Sequence, residues 1–262
     1  MTKHQRKHRV AAVFVLIISA LFVALPVYAH FPWINLEDGG IAPGKNVKWT
    51  IGWGHRFPLS GFMKNSELEE MVVIGPDGAS NIKAASTSEL EFQSEAAAVD
   101  PGAYIVAAKR ISSFYTKTTE GAKRQSKKGL ENVIRCSHSN SCMKAIVNVG
   151  DVIGKADAVV GHSVEIVPLA NPAALKTGDY LPFRILLKGQ PLSADFVATY
   201  AGFSVDDNVY AYTSRTDKNG MGRIRILSPG NWLVKVNYEE PFAETDVCDV
   251  ESYLATLTFE IQ

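Results

Sequence analysis

The sequence lacks the short motifs that mark most hydrolases and nucleotide-dependent enzymes. It contains no Gly-x-Ser-x-Gly elbow, no Walker loop, no Rossmann glycine fingerprint and no His-Glu-x-x-His zinc helix. Internal repeats and low-complexity tracts are also absent. We therefore expect a binding protein and not an enzyme.

An excess of basic residues is absent as well. The chain has 27 Lys and Arg against 27 Asp and Glu. Without residues 1–29 the balance becomes 23 basic against 27 acidic side chains, a net charge of −4. A nucleic-acid partner would require a basic face, so we expect none.

Long hydrophobic runs are missing after the first 29 residues. Four basic side chains begin the chain, and they are followed by an apolar stretch at residues 10–25, by Pro26, and by small residues at Val27 and Ala29. This order of basic, apolar and small residues predicts a signal peptide, residues 1–29, cleaved after Ala29. We expect a periplasmic or secreted protein. An uncleaved N-terminal anchor is the alternative.

Cysteine is scarce: the chain has three, Cys136, Cys142 and Cys248. In an oxidising compartment they allow at most one disulfide. The close pair Cys136 and Cys142 favours a bridge, but with His138 it also suits a soft metal, and free thiols are a third possibility. A regular helix would hold the pair too far apart, so a bridge requires the helix to break.

Proline and glycine divide the rest of the chain into short alternating runs, such as residues 46–53, 180–187 and 231–238. This spacing predicts an all-β protein with two β-sandwich domains, residues 30–167 and 168–262. Residues 125–147 look helical, and we expect a helical insertion there in the first domain.

Two histidines provide the candidate site. Cleavage after Ala29 would make His30 the first residue, and a terminal histidine offers both its α-amine and its ring nitrogen to a metal. His55 follows a predicted strand in the segment Gly-His-Arg-Phe-Pro. We predict a three-nitrogen site for a divalent transition metal, formed by the amine and the rings of His30 and His55. The alternative is that neither residue binds a metal: His30 is simply the residue left by cleavage, and His55 is a loop histidine bonded to backbone.

Several segments resemble a family of exported bacterial proteins of unknown function. They are residues 30–33 (HFPW), 54–58 (GHRFP), 114–118 (FYTKT), 165–169 (EIVPL), 189–192 (GQPL) and 255–259 (ATLTF). Members of that family are labelled as the periplasmic component of nickel or cobalt uptake. The resemblance implies a C-terminal domain similar to transthyretin-like or carboxypeptidase-regulatory-like sandwiches.

Taken together, these features lead us to expect a periplasmic metal-binding protein that captures or delivers nickel or cobalt, with copper as a further candidate. A membrane metal transporter is the expected partner. The alternative is a non-metal binding or scaffold module whose sandwiches present loops or edge strands to a partner. A copper oxidase-like enzyme would use the same terminal histidine, but no separate feature of the sequence points to redox catalysis.

Overall fold

The computed structural model describes residues 30–76, 78–81, 90–93 and 97–262. The predicted signal peptide, residues 1–29, lies outside the described residues. Within them the chain forms nineteen β-strands and two 3-10 turns, Asn65–Glu67 and Pro172–Ala174. The first ten strands are β1 Phe31–Leu36, β2 Gly40–Ile41, β3 Lys48–Gly54, β4 Gly61–Phe62, β5 Leu68–Gly75, β6 Gly78–Asn81, β7 Glu91–Gln93, β8 Gly102–Arg110, β9 Ser113–Thr118 and β10 Gly121–Lys123. The others are β11 Val133–Val149, β12 Val164–Pro168, β13 Tyr180–Leu187, β14 Gln190–Pro191, β15 Asp195–Tyr200, β16 Tyr212–Arg215, β17 Met221–Arg225, β18 Gly230–Pro241 and β19 Val250–Ile261.

The strands form three open sheets, so the expectation of an all-β chain is confirmed. The largest sheet, with eleven described strands, runs β16-β15-β18-β19-β11-β8-β5-β6, with β2, β9 and β10 attached to it. One small sheet contains β1, β3, β4 and β7, and another contains β12, β13, β14 and β17. Within the described residues no helix has the length and hydropathy needed to cross a bilayer.

The large sheet is the middle layer, and its strands bury both faces. On β8, Ile105 and Ala107 join one hydrophobic cluster, which includes the β13 residue Phe183. Their neighbours Val106 and Ala108 join the opposite cluster, which includes residues of β1 and β3. Because successive strand residues point to opposite faces, this alternation places one small sheet on each side of the large one.

The predicted helical insertion at residues 125–147 is wrong. Residues 133–149 form β11, a strand of 17 residues that pairs with β8, β9 and β19. From residue 140 onward every residue of β11 is buried. A strand covered on both faces has no polar–apolar alternation, so its periodicity does not distinguish it from a buried helix.

The cysteine pairing also differs from the favoured Cys136–Cys142 bridge. Cys136 forms a disulfide with Cys248, across a Cα–Cα distance of 5.1 Å. Cys142 is a buried free thiol. Six residues along an extended strand separate two side chains by about 20 Å, so Cys136 and Cys142 cannot bridge. His138 completes no metal set with them, because the Cys136 sulfur is bonded to Cys248.

A buried ion pair joins β11 to β12 beneath the irregular segment 151–163. The side chains of Lys144 and Glu165 are 2% and 1% exposed and form a salt bridge. Lys144 Nζ also donates to the Ala158 carbonyl at 3.0 Å. The Glu165 carboxylate accepts the backbone N–H groups of Val160 and Gly161 at 2.7 and 3.2 Å. The pair therefore fastens this segment to the sheet.

Candidate metal centre

The antiparallel register of β1 and β3 brings the two predicted histidines together. Phe31 is opposite Gly54 and Pro32 is opposite Trp53. Extending the same register by one residue places His30 opposite His55. Side chains at opposite positions of an antiparallel pair lie about 4.5–5.5 Å apart at Cβ. The register of the two strands therefore brings the two imidazoles next to each other.

Glycine in β3 is required for this hairpin. A Cβ added at Gly52 would lie 2.2 Å from the Trp33 indole, and one at Gly54 would lie 1.7 Å from Ser60 Oγ. The Trp33 ring therefore packs directly on the backbone of its partner strand. Gly54 gives the loop after β3 the same close approach, and that loop carries His55.

Two threonines of β19 hold β1 against the large sheet. Thr256 Oγ1 donates to the Pro32 carbonyl at 3.0 Å, and Thr258 Oγ1 donates to the Ile34 carbonyl at 2.8 Å. Beside these bonds lies a cluster of buried side chains from β1, the loop after β3, and β18: Phe31, Trp33, Phe57 and Leu233. The segment directly after His30 is thus fixed on a buried surface, while His30 itself is exposed.

The ring centroids of His30 and His55 are 4.3 Å apart, and the ring planes are inclined by 35°. The other side of the site is aromatic: His30 stacks on Trp53 at 5.7 Å with an interplanar angle of 9°. The Arg110 guanidinium lies 5.1 Å from the Trp53 ring centroid. Metal–nitrogen bonds of about 2.0–2.1 Å let one ion join nitrogens about 4 Å apart, so these rings lie within range after a modest rotation.

The electrostatic surroundings favour a neutral His55 ring. Burial, and next the nearby charge of His30, lower the pKa of His55, while the Asp207 carboxylate acts in the opposite direction. His55 Nδ1 is enclosed, and among the described residues it has no hydrogen-bond partner. A neutral imidazole with an unused lone pair is the form that binds a transition metal, so this atom fits a ligand role.

The loop after β3 is fastened to the segment 201–211. The Asn208 N–H donates to the His55 carbonyl at 3.1 Å. Arg56 donates from its guanidinium to the Val205 carbonyl at 2.8 Å. Val205 and Leu59 project from these two segments with exposures of 79% and 73%. Two distant parts of the sequence therefore form one rim around His55.

Sequence reasoning missed a lysine beside the site. Lys235 on β18 places Nζ 4.0 Å from the Phe31 ring centroid and 4.6 Å from the Tyr210 ring centroid. Its ammonium donates to the Tyr210 hydroxyl. Burial lowers the pKa of Lys235 to about 8, and its charge also lowers the pKa of His55. In the sequence, the position of this single lysine within the apolar run of residues 232–236 indicates that it is buried.

The side chains alone do not complete a metal site. In the ranges that the structure describes, no group of three or more His, Cys, Asp or Glu side chains is suited to hold a metal ion. His30 and His55 supply two rings, so a third protein nitrogen has to come from the α-amine of His30. The donor set therefore fits a transition metal only in a chain that begins at His30.

The fold and the site together define a β-sheet protein with an aromatic-lined pair of histidines at the end of a hairpin. Residues 27–240 match the family model of DUF4198, a domain of unknown function, so the chain belongs to that family. No protein with curated annotation matches the chain significantly.

Among solved structures, the chain is similar to a DUF4785 family protein from Legionella pneumophila, with 8% identity, 81% of this chain and 52% of that chain covered, and a TM-score of 0.26. It thus spans about half of the length of the Legionella protein. Murine CEACAM1b matches with 11% identity, coverages of 88% and 98%, and a TM-score of 0.21. Fibronectin(III)-like modules of Clostridium thermocellum CbhA match with 10% identity, coverages of 86% and 93%, and a TM-score of 0.19.

Proposed function

We propose that this protein binds a divalent transition metal outside the cytoplasm and captures or delivers nickel or cobalt, with copper as a further candidate. The observation that carries the proposal is the separation of 4.3 Å between the ring centroids of His30 and His55. Of the two residues, His30 is exposed and His55 is half-buried. Cleavage of residues 1–29 after Ala29 is part of the proposal, because it frees the third nitrogen.

The role that we assign is binding and transfer, without catalysis. Three nitrogen ligands leave at least one coordination position open, which suits an ion that has to be released again. Nickel, cobalt and copper all accept imidazole and amine nitrogens, so the donor types favour this group of metals over calcium or magnesium. A membrane metal transporter is the partner that uptake would require, and no nucleic acid is involved.

An alternative function is a binding or scaffold module that holds no metal. The exposure of Leu59 and Val205 at the rim of the site favours it, because neighbouring apolar side chains at a surface often mark a protein contact. Metal analysis of protein purified from the periplasm separates the two functions. A stoichiometric transition metal supports the first, and its absence supports the second.

The finer architecture is also a proposal: two sandwich domains divided between residues 167 and 168, the second transthyretin-like or carboxypeptidase-regulatory-like. Strands β13, β15, β17, β18 and β19, all after this boundary, contribute most of one hydrophobic cluster. Strands β1, β3, β5 and β7 lie before it and contribute to the opposite cluster. Because the large sheet contains strands from both sides of the boundary, we expect the two domains to unfold together.

The decisive experiment compares two forms of the protein that differ by one residue. The first begins at His30, and the second carries one glycine before His30, which turns the free amine into an amide. Calorimetric titration with Ni²⁺ and Cu²⁺ should show one tight site in the first form. In the second form affinity should fall by at least about 100-fold, because an amide nitrogen does not bind metal unless it loses its proton. Equal affinity in both forms would exclude the amine as a ligand.

A further inference from the structure

Lys235 lies next to the proposed metal site because of the strand register. On β19, Thr256 is directly opposite Lys235. Opposite residues of an antiparallel pair point to the same face, and Thr256 uses that face to bond the Pro32 carbonyl at 3.0 Å. Lys235 therefore reaches under β1, where its Nζ lies 4.0 Å from the ring of Phe31, the residue after His30.

The Lys235 ammonium has no anionic partner in the part of the chain that the structure describes. Its hydrogen-bond acceptor is the Tyr210 hydroxyl. An ammonium has three N–H donors, and a half-buried one is stabilised when a negative charge is close. Lys235 thus offers an unneutralised positive charge and further donors beside the histidines.

Among the described residues, the other charges near the site form no ion pair with Lys235. Arg110 is paired with Glu67 at 3.3 Å. Arg56 donates to the carbonyls of Val205 and Leu59, which carry no net charge. The Asp207 carboxylate acts on the pKa of His55 in the direction opposite to Lys235, and more strongly. A divalent cation held by neutral nitrogens would add two positive charges to surroundings in which this one carboxylate already faces Lys235 and Arg56.

We propose that the cargo of this site is a metal–carboxylate complex, and that Lys235 and Tyr210 bind the carboxylate while His30 and His55 bind the metal. This inference rests on the proposed function, and it names the form in which the metal is carried. Three protein nitrogens leave room on the metal for a chelating carboxylate. The negative charge of that co-ligand offsets the cation, and its outer oxygen atoms match the ammonium donors.

The test uses Ni²⁺ and citrate with the form that begins at His30. Calorimetric titration is run with hydrated Ni²⁺ and with equimolar nickel–citrate, on the wild type and on Lys235→Met. Loss of a charge-assisted hydrogen bond should weaken nickel–citrate binding by about 10- to 100-fold in Lys235→Met. Hydrated Ni²⁺ should bind this variant about 2- to 5-fold tighter, because a repelling charge is gone.

Two further measurements make the outcome specific. Lys235→Arg keeps the charge and should retain most of the tight binding of nickel–citrate. Equilibrium dialysis with labelled citrate should show one citrate held per protein only when nickel is present. Thermal unfolding of each variant verifies that the fold is intact, and methionine preserves most of the apolar contact with Phe31.

The possible results separate this inference from the proposed function. If citrate only competes for nickel, equally in the wild type and in Lys235→Met, the protein carries the bare ion and the inference is overturned. If the wild type binds neither hydrated nickel nor nickel–citrate, the proposed function fails, and the inference fails with it.

Discussion

His30 and His55 are cross-strand neighbours at the end of the β1–β3 hairpin, with ring centroids 4.3 Å apart. The two residues are far apart in sequence because the rest of β1, the segment that connects it to β3, and β3 itself lie between them. Their closeness in space follows from a register fixed by Phe31 opposite Gly54. A change of register by one residue would turn one imidazole to the other face of the hairpin. The site therefore depends on the packing that fixes this register.

The first prediction concerns the His55 ring. His55→Ala should lower nickel affinity by at least about 100-fold, because a direct ligand contributes more than the outer contacts, whose loss costs about 10- to 100-fold. The matched control is His138→Ala, which removes an imidazole engaged with Glu251 instead. Calorimetric titration of both variants provides the comparison. Equal losses in the two variants would mean that His55 is not a ligand.

The pairing of His30 with His55 could be predicted from sequence because the chemistry lies in residue types. A terminal histidine and a second histidine after a β-strand were enough to suggest the pair. Lys235 was not predicted, because β18 and β1 are far apart in sequence and only the tertiary packing brings Lys235 to Phe31. Its place in the apolar run of residues 232–236 indicates a buried lysine, but does not show which residues it contacts.

Most strands could be predicted from short alternating runs bounded by proline and glycine. The central strand β11 could not be predicted in this way. Alternation depends on one solvated and one buried face, and both faces of β11 are buried over residues 140–149. The Cys136–Cys248 bridge could not be predicted either, because it depends on how β11 pairs with a strand that is distant in sequence. Residues 136 and 248 meet because β11 and β19 run parallel, and that pairing leaves no trace in the spacing of the cysteines.

The second prediction concerns Gly52, whose missing side chain makes room for the Trp33 indole. An added Cβ would lie 2.2 Å from that ring, so Gly52→Ala should reduce the free energy of unfolding by about 1–3 kcal/mol. Gly40→Ala is the control, because the close contact of its Cβ would be with the movable amide end of the Gln262 side chain, and the Asn148 carbonyl lies at an ordinary 3.9 Å. Urea unfolding measures both. If the two variants have the same stability, Trp33 does not need this space.

The third prediction concerns the disulfide. Alkylation of the denatured, unreduced protein should label one cysteine, Cys142, and alkylation after reduction should label all three. The Cys136–Cys248 bridge spans 112 residues, so its removal by Cys248→Ser should cost about 2–5 kcal/mol of stability. Peptide mapping identifies the bridge, and urea unfolding measures its contribution. A mapped Cys136–Cys142 peptide would contradict the pairing.

The fourth prediction concerns stability in acid. Burial lowers the pKa of His162 to about 4, with Glu165 opposing the shift and Lys144 and Lys109 adding to it. Between about pH 6.5 and 4 the unfolded chain binds a proton at this residue that the folded protein does not. The contribution of His162 to stability is therefore present above about pH 6.5 and decreases as the pH falls.

We expect His162→Gln to lose less stability than the wild type between pH 7 and 4.5, by about 2–3 kcal/mol at most. Urea unfolding at the two pH values gives this difference. His138→Gln retains His162 and should follow the wild type. If His162→Gln loses as much stability as the wild type in acid, the protonation of His162 is not coupled to unfolding.

The last prediction concerns the buried pair of Lys144 and Glu165, which fastens the segment 151–163. Glu165→Gln leaves Lys144 buried without its counter-charge and should cost about 3–5 kcal/mol, although the new amide oxygen can still accept one backbone N–H. Lys144→Met should cost a similar amount. The double variant should cost less than the sum of the two, because no charge is left unpaired.

The exposed pair of Lys188 and Glu240 provides the matched control for this cycle. Lys188 is 59% exposed, and its Nζ lies 2.7 Å from the Glu240 carboxylate. Solvent screens this pair, so Lys188→Met should cost no more than about 1 kcal/mol. Urea unfolding of the four variants gives the coupling energy of the buried pair and the contrast with the exposed one. Additive losses at Lys144 and Glu165 would show that the two charges do not stabilise each other.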